Sequence, residues 1–247
     1  MRVVASMTTT PSRIDRIRPA IASVLAQSVP VEHLEMNIPY VCRRTGESYV
    51  VPPWLEAMER VRIFRTEDYG PITKVAPTLV RYHGDPLTCV WSADDDIAYP
   101  ANQLAMLLRC QCPSQRRILA RHGGFFQPDG GITFMVGKLE VSMFEGFGTV
   151  LYPPGCVGED FLDYVSTTSE NEDCRRSDDV VLSFYFLSRL VPIFLCNRPS
   201  DGEPFYPTWL PHAWESDALT RQDGGHIERY KRVFQFLRSR ATECPAR

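Results

Sequence analysis

Through residue 112 the chain alternates short apolar runs with segments of helical spacing, and that alternation restricts the folds open to it. Arg2–Thr9 is β-rich and stops at hydroxyls and Pro11, so it reads as a first strand. Ser12 is placed to cap a helix over Arg13–Gln27, where Ile14, Ile17, Ile21, Val24 and Leu25 share one face. His33–Pro39 and Val61–Arg65 read as the second and third strands. A helix from near Pro71 to Arg81 leads to a fourth strand, Leu87–Trp91, and Pro100 opens a helix to about Cys110. The pattern predicts a parallel, Rossmann-like sheet with helices on its faces.

The later sequence has a different rhythm. Ile118–Phe126 and Ile132–Phe144 read as longer strands around the turn Gln127–Gly131. Asp178–Leu190 reads as a helix, Ile193–Asn197 as a strand, and Ile227–Ala241 as a terminal helix with Tyr230, Val233, Phe234 and Leu237 on one side. Ser166–Ser177 is polar and reads as a loop. No internal repeat is visible. The expectation is one α/β domain over residues 1–247 whose sheet becomes mixed in the second half.

Bulk properties exclude several function classes. The net charge is -3, so the chain has no basic field to attract nucleic acid. No apolar run is long enough to span a bilayer, and the apolar part of Met1–Met7 is too short for a secretory signal. The 8 cysteines are scattered without a CxxC pair, and Cys110-x-Cys112 alone is weak as a metal site. Cys89 and Cys196 lie in apolar runs and read as core thiols. A chain of 247 residues builds a core without disulfide staples, so reduced thiols and a cytoplasmic location are expected.

The chemistry concentrates where the fourth strand ends, in Asp94-Asp95-Asp96-Ile97-Ala98-Tyr99-Pro100. Three adjacent carboxylates cannot continue a buried strand, because unpaired buried charge is costly. They therefore belong at the strand's C-terminal end, where open α/β sheets place ligands. Clustered carboxylates suit a hard cation, Mg²⁺ or Mn²⁺. The same triplet also reads as a solvated acidic turn with Asp96 as N-cap.

A second cluster follows the third strand, in Asp68-Tyr69-Gly70-Pro71-Ile72-Thr73-Lys74. Gly70 permits close backbone approach and Pro71 starts a helix. Asp68 beside Tyr69 can hold a base, the carboxylate accepting a ring N–H while the aromatic stacks. Lys74, one turn on, can reach a phosphate or Asp68. A tight turn capped by Asp68 is the plainer reading. Asp178-Asp179 opens a helix, where acidic residues serve as caps whether or not one also faces a cleft.

In order and spacing, Met7-Thr8-Thr9-Thr10-Pro11-Ser12-Arg13, Asp68 to Lys74, Asp94 to Pro100 and Ser177-Asp178-Asp179 resemble the small GT-A glycosyltransferases. The group includes capsid-glycan transferases of large algal viruses. The resemblance runs from Val3 to about Leu190, and weakly to Tyr230. It implies a GT-A fold with a nucleotide-binding half over residues 1–112 and an acceptor-side half over 113–247. It also implies a nucleotide-sugar donor, a UDP-sugar ahead of GDP- or dTDP-sugars, and a glycan or other hydroxyl acceptor.

Carried over, Thr8, Thr9, Thr10, Arg13, Asp68, Tyr69, Gly70 and Lys74 line the nucleoside pocket. Asp94 and Asp95 lie nearest the ribose and nucleotide. Asp96 is the leading Mn²⁺ or Mg²⁺ ligand, with Asp94 and a C-terminal His, here His226, as further candidates. The chain has Asp-Asp-Asp where many members of that family have D-x-D, so which two Asp count stays open. The second residue of the acidic pair, Asp179, is the expected general base, with Asp178 in reserve. Glu145-Gly146-Phe147-Gly148 is expected as an acceptor or donor-sugar wall, although two Gly around an aromatic also fit a bulge or turn. Trp209, Trp214, Phe205 and Tyr206 can stack on sugars, but core packing or burial against the sheet suits most of them better.

A single displacement by an activated acceptor hydroxyl would invert the anomeric carbon. One competing class is a sugar-nucleotide nucleotidyltransferase, which usually opens with a Gly-rich basic loop, whereas the first loop here is Thr-Thr-Thr-Pro-Ser-Arg. A non-catalytic sugar- or nucleotide-binding module has less need of two separate acidic groups.

Overall fold

The computed structural model describes residues 1–111, 115–197, 208–214 and 226–243. Cys112, Cys244, Phe205, Tyr206 and the 223–225 stretch before His226 lie outside the described residues.

The strand predictions for the first half hold closely. Strands β1 (Arg2–Met7), β2 (Leu34–Pro39), β3 (Val61–Thr66) and β4 (Thr88–Ser92) pair in the order β3-β2-β1-β4, all in parallel. The sheet continues through β9 (Met143–Tyr152), β6 (Ile118–Phe126), β10 (Ile193–Leu195) and β8 (Glu140–Val141), with β7 (Ile132–Phe134) on β6, giving 9 strands. β9 runs antiparallel to both β4 and β6, so one mixed sheet joins the two halves of the chain.

Strand alternation sends neighbouring residues to opposite faces, and two apolar cores result. Cys89, Trp91, Leu119 and Leu151 face one core, with helix α1 (Arg18–Leu25) and helix α4 (Gln103–Leu108) over it. Val90, Ile118, Ala120, Val150 and Tyr152 face the other. That side is covered by α3 (Ala76–Arg81), α5 (Phe161–Ser169), α7 (Asp178–Ser188) and α8 (His226–Glu243). Each fully buried Leu, Val or Phe contributes ~1.5–3 kcal/mol, so the two cores supply most of the driving force.

Helix starts differ from expectation because of proline. The first helix begins at Arg18, not Arg13, with Ile17 at the N-cap and no side-chain cap bond. Pro19 lacks an N–H and is tolerated only in a first turn, so a helix from Arg13 would have carried it in its interior. Ser12 instead pairs with Thr10 through their hydroxyls, at 3.0 Å. Pro77 likewise divides the expected 71–81 helix into a 3₁₀ turn, Gly70–Lys74, and α3. A short helix α2 (Pro53–Glu56) precedes β3.

Two second-half expectations fail. The polar stretch 166–177 is mostly helical: it ends α5 and forms α6 (Glu172–Arg175), whose N-cap Asn171 accepts the Cys174 N–H at 3.0 Å. Phe161, Val165 and Thr168 bury one face of α5, and that face decides the conformation despite the polar surface. The expected strand 132–144 is broken into β7, β8 and the start of β9, with Gly137 at φ 142° between them. Among the described residues, six cysteines including Cys89 and Cys196 are buried free thiols, and no helix is long and apolar enough to cross a membrane.

Candidate functional site

Strand order places the site. The chain leaves β1 toward β2 and β3, then returns to lay β4 on β1's other side. Loops after β1 and β4 therefore diverge and leave a crevice at their C-terminal ends. A cavity of about 520 Å³ opens there, within the usual range for small-molecule sites. Thr8, Thr9, Thr10 and Arg13 line it from β1, and Asp94, Asp95 and Asp96 from β4. Asp68, Gly70 and Lys74 enter from the loop after β3, Glu145 and Phe147 from β9, Asp178 and Asp179 from α7.

Each carboxylate of the triplet already has a partner. Thr9 donates its hydroxyl to Asp95 Oδ2 at 2.6 Å, and Arg13 Nη1 reaches Asp95 Oδ1 at 3.4 Å and Asp96 Oδ2 at 3.1 Å. Lys74 Nζ bridges Asp94 Oδ1 at 3.1 Å and Asp178 Oδ2 at 2.9 Å. Lys74 therefore ties the strand-end triplet to the helical acidic pair and does not reach Asp68, the partner the sequence suggested. Its own backbone is pinned from below, since Ser6 Oγ and Asn37 Nδ2 both donate to the Lys74 carbonyl.

The capping reading of Asp178-Asp179 is replaced by a different one. Ser177 occupies the N-cap, and both carboxylates sit in the first turn of α7 facing the cavity. Asp179 Oδ1 accepts the Gly146 N–H at 2.6 Å and Oδ2 accepts the Tyr230 hydroxyl at 2.6 Å. Gly146 belongs to a bulge in β9. Register shifts between Ala120 and His122 of the partner strand, with Gly148 at φ 82° and Thr149 at φ 123°. Thr149 is held there by the Trp91 indole N–H, donated to its hydroxyl. The bulge reading of Gly146–Gly148 is thus the observed one, and it re-aims Phe147 into the cavity. Gly148 itself packs against the His122 ring.

Asp68 acts as a turn organiser. Its two oxygens accept the Arg43 and Gly70 N–H groups, both at 2.7 Å, although it remains in the cavity wall. Tyr69 does not share that wall; its ring packs against the apolar core under α3 and α7. An aromatic one position from a turn aspartate points the other way, which removes the expected base-stacking pair. The Thr8 hydroxyl is engaged by the Asn37 carbonyl at 2.7 Å. Gly70, at φ 79°, lies so close to α6 that a Cβ would overlap the Arg175 carbonyl.

Near the C-terminus, His212 carries no local sequence signal, whereas Trp209 and Trp214 stand among the aromatics able to stack on sugars. Strand β11 (Thr208–Trp209) pairs with β5 (Ile97–Ala98), just after the triplet. The 3₁₀ turn Pro211–Trp214 follows, and buried His212 approaches the Asp95 carbonyl at 3.1 Å. Phe147 stacks on Trp209, ring centres 5.6 Å apart, and Trp209 tilts against Trp214 at 5.3 Å. Both tryptophans line the cavity and keep exposed faces, 38% and 50%.

Metal fit follows from this donor set. Among the described residues no three His, Cys, Asp or Glu side chains converge as a cation cage. His226 lies beside Glu145, Nε2 to Oε1 3.9 Å, and is not grouped with Asp94 and Asp96. The triplet offers hard carboxylate oxygens whose charge Arg13 and Lys74 already offset in part. Such a set suits an ion shared with substrate oxygens, the usual habit of Mg²⁺ at phosphates, rather than a resident one.

Burial dominates the proton affinities. It pushes Asp94 up to about 6, with Lys74 opposing. Burial and then Asp178 push Asp179 up to about 8. Burial alone pushes Glu145 up to about 7. Asp95 and Asp96 are raised for the same first reason. Lys74 stays charged, because burial is outweighed by Asp178, Asp94 and Asp179.

The sign for stability is clear. A carboxyl whose folded pKa lies above its unfolded value near 4 binds more protons in the folded state between those values. Stability from these groups is therefore fullest below pH ~4 and is lost as pH rises through about 6 to 8. Thermal melts of the metal-free protein should show the melting temperature falling from pH 5.5 to pH 8.5. A melting temperature that climbs over that interval would show that these carboxyls are not buried as described.

A scan against protein-family models finds no match, and a search of curated proteins finds no relative.

Proposed function

We propose that this chain is a GT-A-type glycosyltransferase that uses a nucleotide-sugar donor, a UDP-sugar first among them. One observation carries the reading. Two acidic groups from different elements, the strand-end triplet and the first turn of α7, face one cavity at the sheet's switch point and are joined through Lys74. A sugar-transfer site needs that division of labour: one region to hold the anionic leaving group, another to take a proton from the acceptor.

In this reading the nucleoside lies over Thr8–Thr10 and the Asp68 loop, with its diphosphate toward Lys74 and the triplet. A divalent cation, Mn²⁺ or Mg²⁺, would be held by Asp96 with Asp94 and would offset charge on the departing diphosphate. Asp179 takes the acceptor hydroxyl's proton as that oxygen forms a bond to the anomeric carbon and the carbon–phosphate-oxygen bond breaks. Gly146 N–H and Tyr230 fix the carboxylate's orientation and leave it lone pairs for the proton. Phe147, Trp209 and Trp214 offer apolar faces on which an acceptor glycan can lie.

The test is calorimetric titration with UDP in Mn²⁺ and in EDTA, on the native chain and on Asp96→Ala. Binding should be at least ~10-fold tighter with Mn²⁺, a difference of about 1.4 kcal/mol, and the variant should lose that gain. Equal affinity in both buffers would remove the cation from the proposal. No thermal stabilisation by UDP, GDP or dTDP at high concentration would remove the nucleotide-sugar reading itself.

A further inference from the structure

The cavity contains a second polar region that neither acidic group uses. Arg229, in the first turn of α8, lines the cavity and is only 2% exposed. Its Nε donates to Ser177 Oγ at 3.1 Å, while its Nη1 is buried without a hydrogen-bond partner among the described residues. A guanidinium stays protonated at any working pH, so this is a fixed buried cation with an open donor. Such a group is costly to leave unmatched.

Arg175, on α6, lines the same cavity, and among the described residues its side chain bonds only the Ser169 carbonyl, at 3.3 Å. Other arginines nearby are matched by acids: Arg176 pairs with Glu172 at 2.8 Å and Arg43 with Glu170 at 3.4 Å. Asp173, the acid nearest α8, is taken by Arg232 at 2.7 and 3.0 Å. Arg229 and Arg175, by contrast, face the cavity with no acid in ion-pair contact among the described residues.

We infer that Arg229 and Arg175 form an anion subsite that takes a phosphoryl group of the ligand. Planar N–H forks match phosphoryl oxygens two at a time, and the bound group would complete Arg229's hydrogen bonding. The inference rests on the cavity's being the substrate site. Two sources supply this chemistry, the diphosphate of the donor or a phosphate carried by the acceptor.

Calorimetry in metal-free buffer with pyrophosphate, UDP and uridine separates the cases. Native protein should bind pyrophosphate, and Arg229→Met and Arg175→Gln should each weaken it roughly tenfold or more while uridine binding stays unchanged. If the donor's diphosphate occupies the subsite, UDP affinity falls in the same variants and UDP displaces pyrophosphate. If an acceptor phosphate does, UDP affinity is unchanged and pyrophosphate still binds the UDP-saturated protein. Pyrophosphate that fails to bind native protein, or binds both variants equally well, overturns the inference. Arg175 is only part-buried, so Arg175→Gln keeps the test readable should Arg229→Met fail to fold. Arginine-dependent pyrophosphate binding with no UDP binding even after Mn²⁺ is added would keep the subsite and remove the glycosyltransferase reading instead.

Discussion

Asp179→Asn should reduce sugar transfer by ~10²–10⁴-fold, the range for loss of a positioned general base, with UDP affinity retained. The substitution is conservative in this environment. An Asn oxygen can accept the Gly146 N–H as Asp179 Oδ1 does, and its NH₂ can donate to the Tyr230 hydroxyl. What is lost is the capacity to take a proton. A base works only when ionised, so transfer by the native chain should rise with pH through the raised pKa of about 8. Asp178→Asn is the control, because Asp178 serves Lys74. Near-normal turnover in Asp179→Asn, measured with saturating donor, would move the base elsewhere, with Glu145 the next carboxylate in the cavity wall.

Lys74→Met should destabilise the fold by about 3–5 kcal/mol at neutral pH, the usual cost of removing one partner from a buried ion pair. Methionine fills most of the volume, so the loss measures charge. Asp94 and Asp178 would be left buried without the cation that bridges them. Asp94, whose proton affinity Lys74 holds down, would then protonate at higher pH than in the native chain, so the penalty should shrink on acidification. Denaturant unfolding at pH 5 and pH 8 distinguishes this from packing: an equal loss at both would mean that Lys74 acts by shape alone.

How far the sequence reached depended on the range of the interactions involved. Strands β1 to β4 were legible because each is an apolar run bounded by breakers, and parallel order follows from the helices between them. Pro19 and Pro77 were visible too, yet Ser12 in capping position outweighed the first and Pro71 as a helix start outweighed the second. β9 was missed because its glycines look like a turn. Only its pairing with β4 and β6, strands remote in sequence, makes it a central strand with a bulge.

The same division applies to the site. Asp94–Asp96 stand out as a charge cluster at the end of an apolar run, and Asp178-Asp179 as an acidic pair opening an apolar helix. That Lys74 joins them is a fact of three dimensions, as is the orientation of Asp179 by Tyr230. Tyr69 and Asp68 show the converse: a plausible local pair is separated because adjacent side chains leave the loop on opposite sides. His212 and Arg229 have no neighbours in sequence that mark them, and Trp209 and Trp214 were visible only as aromatics that could also belong to a core.

The docking of 208–214 on the acidic loop also sets an order of events during synthesis. Leu210 N–H reaches the Asp96 carbonyl at 2.8 Å, and His212 meets Asp95 across 117 positions of chain. When Asp94–Asp96 leave the ribosome, the residues that will close over them have not yet been made. Contacts so distant along the chain form late, because a long loop must close before they repay its entropy. The parallel strands can pair while the crevice above them is still open to water, and competence to hold a ligand arrives last.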